Sequence, residues 1–190
     1  MTVEDIYELI PEHNEISDPE LKRKCAETFL EAIKRGGWEE KGGIEKCPLQ
    51  VGLLADDCPA SGLDHMRKVA AIATRVYDHL GEWLNTIGKC DRDVVIAGAL
   101  LHDVGKLMSY TLDENGKPAN APDHDMFNHC VWGAYLAKNN GLPDSVVHII
   151  LTHSLAQAPE GPRALVTPEA RIVKNSDHIA WDSVAVHWPR

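Results

Sequence analysis

The sequence predicts an all-α fold: a bundle of five to seven helices with one small β-hairpin. Three observations carry that prediction. Apolar residues recur at three- and four-residue spacing over most of the chain. Capping residues open these periodic segments, and Gly or Asn-Gly steps close them. A single stretch, MSYTLDENGKPAN, reads instead as two short strands about a turn.

Taken in order, DPELKRKCAETFLEAIKR (residues 18–35) forms a charged helix with an apolar stripe through Leu21, Cys25, Phe29 and Ile33, and the glycines at 36–37 stop it. From there to Gly62 the chain is rich in Gly, Pro and Asp and reads mostly as loop. Ser61, with Asp64 three residues on, has capping-box spacing and opens a helix that runs to about Trp83 or Leu84. A third helix spans about 91–101 and carries VVIAGALL, a run without charge that must be buried, into the polar step HDVGK. Asn115-Gly116 suits a type I′ turn at the tip of the hairpin. Helices follow at about 126–140, closed by Asn140-Gly141, and at 143–155, where Pro143 suits the first turn. The last runs from Thr167-Pro168 to about Val184.

At 190 residues and 44% hydrophobic content, the chain has the material for one domain and a sizeable core. Residues 1–55 form an N-terminal helical extension and residues 56–190 the main domain. No run approaches ~20 apolar residues, which excludes a membrane-spanning helix. The acidic start MTVEDIYELIPEHNE lacks the positive and apolar regions of a signal peptide, so a cytoplasmic protein is expected. Five cysteines without a C-x-x-C pair argue against a disulfide framework or a thiolate zinc site. A formal net charge of −10 argues against nucleic acid as a partner. It leaves room for a small phosphorylated substrate, because metal ions in a site outweigh the surface field.

Ten histidines are many, but a count is not a site, and the two His-Asp steps are close to what this composition gives by chance. The helical face decides. His65 lies on the stripe of Val69, Ile72 and Val76; His102 and Asp103 end a helix apolar nearly all round. His129 shares its face with Trp132, Gly133 and Leu136, and His153 with Val146, Ile149 and Ile150. Asp177 joins Val173, Ala180, Trp181 and Val184. His79, His148 and His178 fall on outward faces, and His13, His124 and His187 in loops or termini. One inward histidine alone is better explained as a core residue bonded to a backbone carbonyl. Six inward polar groups on successive helices would need six separate solutions to burial unless they converge on shared cations. Imidazole and carboxylate donors suit first-row divalent ions, and a bridging carboxylate suits two of them.

This ordered set, His65, His102-Asp103 within HDVGK, His129, His153 and Asp177, resembles the HD-domain superfamily of metal-dependent phosphohydrolases, and more closely its members with two extra histidines and a dinuclear centre. The resemblance covers about residues 60–185. It implies an HD-domain helical bundle and an enzyme holding two divalent metal ions, of the set Fe, Mn, Ni, Co, Zn or Mg. It assigns His65, His102, Asp103 and Asp177 to one ion, and Asp103 as a bridge with His129 and His153 to the other. Asp103 and Lys106 are then the catalytic residues, Lys106 offering positive charge to a phosphate. The implied reaction is hydrolysis of a small phosphoester, a nucleotide or phosphorylated metabolite, by a metal-activated hydroxide. The implied partners are that substrate and, if a protein partner exists, a second copy as a homodimer. The segment HCVWGAYLAKNN lacks the Gly-Tyr-Pro signature of cyclic-di-GMP hydrolases, and no basic cluster marks a triphosphate site. Two other readings share the same ligands: a diiron HD-domain oxygenase, and a non-catalytic, metal-stabilised module that binds a ligand.

Overall fold

The computed structural model describes residues 1–55, 57–154 and 166–188. In chain order it contains α1 (Val3–Leu9), α2 (Pro19–Gly36), α3 (Gly62–Ile87), α4 (Arg92–Leu101), a single turn α5 (Lys106–Ser109), β1 (Tyr110–Leu112), β2 (Pro118–Asn120), α6 (His129–Asn139), α7 (Asp144–Thr152) and α8 (Pro168–Ala185). That is an all-α bundle with one two-stranded antiparallel hairpin, as the sequence predicts.

Helix α4 is the axis of the molecule. Every residue from Val94 to Leu101 is buried, and α2, α3, α7 and α8 pack around it. The uncharged run Val94–Leu101 is stable only in such a place, enclosed on every side. Polar caps fix its neighbours. Asp18, Ser61, Asp91, Asn128 and Thr167 each accept a backbone N–H in the first turn of the helix that follows, and Ser61 and Asp64 form the reciprocal capping box. Gly37 and Gly141, both left-handed, close α2 and the turn after α6.

Several boundaries differ from expectation. Helix α1, with its own Thr2–Asp5 capping box, was not foreseen. Helix α3 runs on to Ile87. Helix α6 begins at His129 rather than 126, because Asn128 caps it and the preceding Met126 and Phe127 are exposed. Pro143 precedes α7 as its cap, and α7 ends at Thr152; residue 155 lies outside the described residues. The hairpin is present but its turn is not type I′. Only Gly116 has positive φ, and Gly116 N–H donates to Asp113 O at 2.9 Å, so the tip is a type I turn closed by a left-handed glycine.

The N-terminal helices belong to the same core. Ile6, Phe29, Ile33 and Trp38 are buried in one apolar cluster with Leu100, Leu107 and Ile149. Trp38 is fully enclosed and its Nε1 donates to Leu107 O at 2.7 Å, which places it in the packing of the core. No described helix is long and apolar enough to cross a membrane.

Candidate metal centre

All six inward residues converge. His65 comes from the first turn of α3, His102 and Asp103 from the end of α4, His129 from the start of α6, His153 from the end of α7, and Asp177 from the middle of α8. Asp103 is at their centre and almost wholly buried. Its Oδ2 lies 3.3 Å from His102 Nε2 and 3.6 Å from His65 Nε2, while its Oδ1 lies 3.3 Å from His129 Nε2 and 3.4 Å from His153 Nε2. Asp177 Oδ1 completes the first group, 2.9 Å from His65 Nε2 and 3.8 Å from His102 Nε2. One carboxylate therefore turns its two oxygens toward two separate sets of imidazoles.

The helix ends aim these rings. His102 is the C-cap of α4, and its Nδ1 donates to Ala99 O at 2.7 Å; His153 is the C-cap of α7, and its Nδ1 donates to Ile150 O at 2.8 Å. Each ring spends its proton on the backbone three residues earlier and presents Nε2 to the cluster. A histidine bonded to the backbone through Nδ1 thus still leaves Nε2 placed where it could hold an ion. Paired nitrogens stand 3.4 Å apart in His65 and His102 and 3.3 Å apart in His129 and His153. Donors about 2.0–2.2 Å from a shared cation stand at about that separation. The imidazole–carboxylate set and its spacing therefore fit a divalent ion.

Charge in the cluster is strongly perturbed. Burial opposes ionisation of Asp103, but Lys106 and then His102 hold its carboxyl well below the usual range. Burial likewise opposes the Lys106 ammonium, and Asp103 outweighs it. Burial lowers His65 and takes His129 down to about 3, whereas at His153 Asp103 and Cys130 overcome burial and push it up to about 9. Asp177 is held at about 2, His65 outweighing burial.

Lys106 is buried. Its Nζ lies 2.7 Å from Asp103 Oδ2 and donates to Leu49 O at 2.9 Å. Cys130, one of the five cysteines read as non-ligating, lies near the cluster, but its sulfur is 3.9 Å from His153 Nδ1, on the ring edge that faces the backbone. Among the outward histidines, His79 and His187 are exposed. His13 is not outward at all: it is fully buried between Tyr7 and Phe29, its Nδ1 donating to Ile10 O at 2.9 Å, far from the cluster in its contacts. His178 is exposed yet lines the mouth of the site, a placement that a two-face sorting of α8 misses.

The cluster forms the floor of an open cavity of about 420 Å³, whose mouth carries Gln50, Leu53, Ser154, His178, Trp181 and Asp182. The segment from Leu49 to Ala55 arches beside it, tied at one end by Lys106 to Leu49 O and at the other by Ala55 N–H to Trp188 O at 3.3 Å.

Comparison with protein families matches residues 62–182 to the HD domain, which is most of the chain. The chain belongs to the HD-domain family. This HD-domain protein is 29% identical over 181 residues to the dihydroneopterin 2′,3′-cyclic phosphate phosphodiesterase of Methanocaldococcus jannaschii, an alignment covering 89% of this chain and 66% of that protein. It is 27% identical over 108 residues to ribonuclease Y of Pseudothermotoga lettingae, covering 57% of this chain and 17% of that one. It is 29% identical over 90 residues to the tRNA (cytidine(56)-2′-O)-methyltransferase of Picrophilus torridus, covering 47% and 20%. The chain thus spans just under two thirds of the first relative and a fifth or less of the other two. No solved structure gives a significant match.

Proposed function

We propose that this HD-domain protein is a metal-dependent phosphohydrolase that cleaves a small phosphoester at the His/Asp cluster. The observation that carries the reading is the split of Asp103: Oδ2 toward His65 and His102, Oδ1 toward His129 and His153. One ion would be held by His65, His102, Asp103 and Asp177, and a second by Asp103, His129 and His153. Such ions, when bound, lower the pKa of a water toward neutrality and offset the charge of a phosphoryl group.

The chain's own residues supply the rest. Backbone-anchored His102 and His153 aim Nε2 inward, so ligation needs no ring reorientation. Lys106 balances the Asp103 charge and lines the cavity floor, where its ammonium lies within reach of a phosphoryl oxygen. Burial of His102, Asp103 and His153 excludes bulk water from beneath the reacting group. The name of the Methanocaldococcus relative, a phosphodiesterase for a cyclic phosphate, supports phosphoester chemistry over the oxygenase reading.

The test is metal content and turnover together. Protein prepared without chelator or nickel resin is expected to carry divalent metal and, with manganese, to hydrolyse bis-p-nitrophenyl phosphate. Asp103→Ala should lose both. Equal metal content in wild type and Asp103→Ala would refute the assignment, and oxygen consumption by iron-loaded protein without phosphate release would replace it with oxygenase chemistry.

A further inference from the structure

The cavity is larger than a phosphoryl group requires, since a volume of about 420 Å³ falls in the range of sites that enclose a whole organic ligand. Its floor is used by the cluster, so its mouth must contact whatever the phosphate is attached to. Two apolar side chains lie there from unrelated parts of the chain. Leu53 stands 62% exposed on the arch, where no folding requirement holds an apolar residue. Trp181 stands on α8 one turn beyond Asp177, and so on the same face as that ligand. Beside them are a carboxylate, Asp182, and an amide, Gln50, which accept and donate hydrogen bonds at a ring edge.

Charge narrows the ligand further. Among the described residues lining the cavity, Lys106 is the one lysine or arginine, and Asp103 and Leu49 O already hold it. Asp182 adds negative charge at the mouth. A polyphosphate would meet no free cation among the described residues there, whereas a phosphodiester brings one negative charge and places it at the floor.

We propose that Trp181, with Leu53, is the specificity-determining platform on which an amino- or oxo-substituted aromatic heterocycle stacks while its singly charged phosphodiester sits on the cluster. This rests on the phosphohydrolase reading and adds the substrate class to it. Stacking on an aromatic side chain is worth roughly tenfold to a hundredfold in affinity.

The experiment compares two singly charged cyclic phosphodiesters, guanosine 2′,3′-cyclic phosphate with a ring and glycerol 1,2-cyclic phosphate without one. Trp181→Ala is expected to raise KM for the guanosine compound about tenfold or more, with kcat little changed, and to leave the glycerol compound unaffected. Trp181→Phe should restore most of the loss. Equal effects on both compounds, or none on either, would overturn the platform. Binding of the guanosine compound, read by calorimetry in wild type and Trp181→Ala, separates this inference from the reading beneath it. Turnover of neither compound with Trp181-dependent binding defeats the hydrolase and keeps the platform. Binding that ignores Trp181 defeats the platform whatever the turnover.

Discussion

At Asp103 one buried carboxylate faces four imidazoles and an ammonium, so its removal does two separable things. It deletes the carboxylate shared by both halves of the cluster, and it leaves Lys106 charged and buried beside only a carbonyl. Breaking a buried pair from one side costs about 3–5 kcal/mol. Asp103→Ala should therefore lower the denaturant midpoint as well as metal content, and adding Lys106→Met should recover much of the stability while metal remains lost. Equal midpoints for the single and double variants would contradict this. His13 carries a second prediction. Burial depresses it to about 4, so the unfolded chain takes up its proton more readily than the folded one. The stability tied to its neutral form is intact above about pH 6.5 and declines as pH falls toward 4, by about 3 kcal/mol in all. Denaturation at pH 5 and pH 7 should show that His13→Leu removes this part of the acid sensitivity. The convergence of the six residues was legible because each lies on a regular helix or directly continues one, so its face can be sorted. His13 was not, because it sits in a short 3-10 turn, Pro11–Glu15, to which the helical sorting does not apply.

Among the elements, the turn from α4 into α5 shows why HDVGK needs its glycine. Gly105 has φ −67°, which any residue adopts, so conformational freedom is not the reason. Space is: a Cβ there would lie 1.9 Å from His129 O and 2.6 Å from Gly133 N. Gly105 lets α6 press against the turn and brings His129 to Asp103. Gly105→Ala is expected to destabilise the fold by about 1–3 kcal/mol, as overpacking does. It should also push His129 away, lowering metal content by about one ion per chain. Elemental analysis that finds wild-type metal in this variant would show that α6 is positioned by other contacts. Helix starts were readable where a capping residue met a long apolar pattern, as at Ser61 and Asp91, but not at Thr2, whose helix spans only seven residues. They were not where apolar residues precede the cap, as Met126 and Phe127 do before Asn128. The hairpin tip depended on Asp113, whose Oδ1 accepts from Asn115 N–H at 2.9 Å and Lys117 N–H at 2.8 Å, a local preference that the Asn-Gly pair does not reveal.

Across the molecule, the site is assembled from five helices that meet only in the folded state, so ligand binding and folding are linked. An ion at a hundredfold excess over its Kd adds about 2.7 kcal/mol. For a chain of this size that corresponds to a rise in Tm of roughly 5–10 °C, which chelator should reverse in wild type and not in Asp103→Ala. The bundle class was legible from periodicity alone, and the convergence of six side chains from their faces. The sharing of one core by the first fifty-five residues and the rest was not, because the contact of Trp38 with Leu107 joins positions with no common pattern. The two posts of the arch, Leu49 and Ala55, give the mouth one last property. With both ends fixed, the reach of this wall beside the cluster depends on the residue count between them. Leu54 is buried between them and Val51 packs on the core, so a residue added or removed beside exposed Leu53 would resize the chamber with the least disturbance to the bundle. The span from Leu49 to Ala55 is in that sense a gauge: its length sets how large a guest the same chemistry receives.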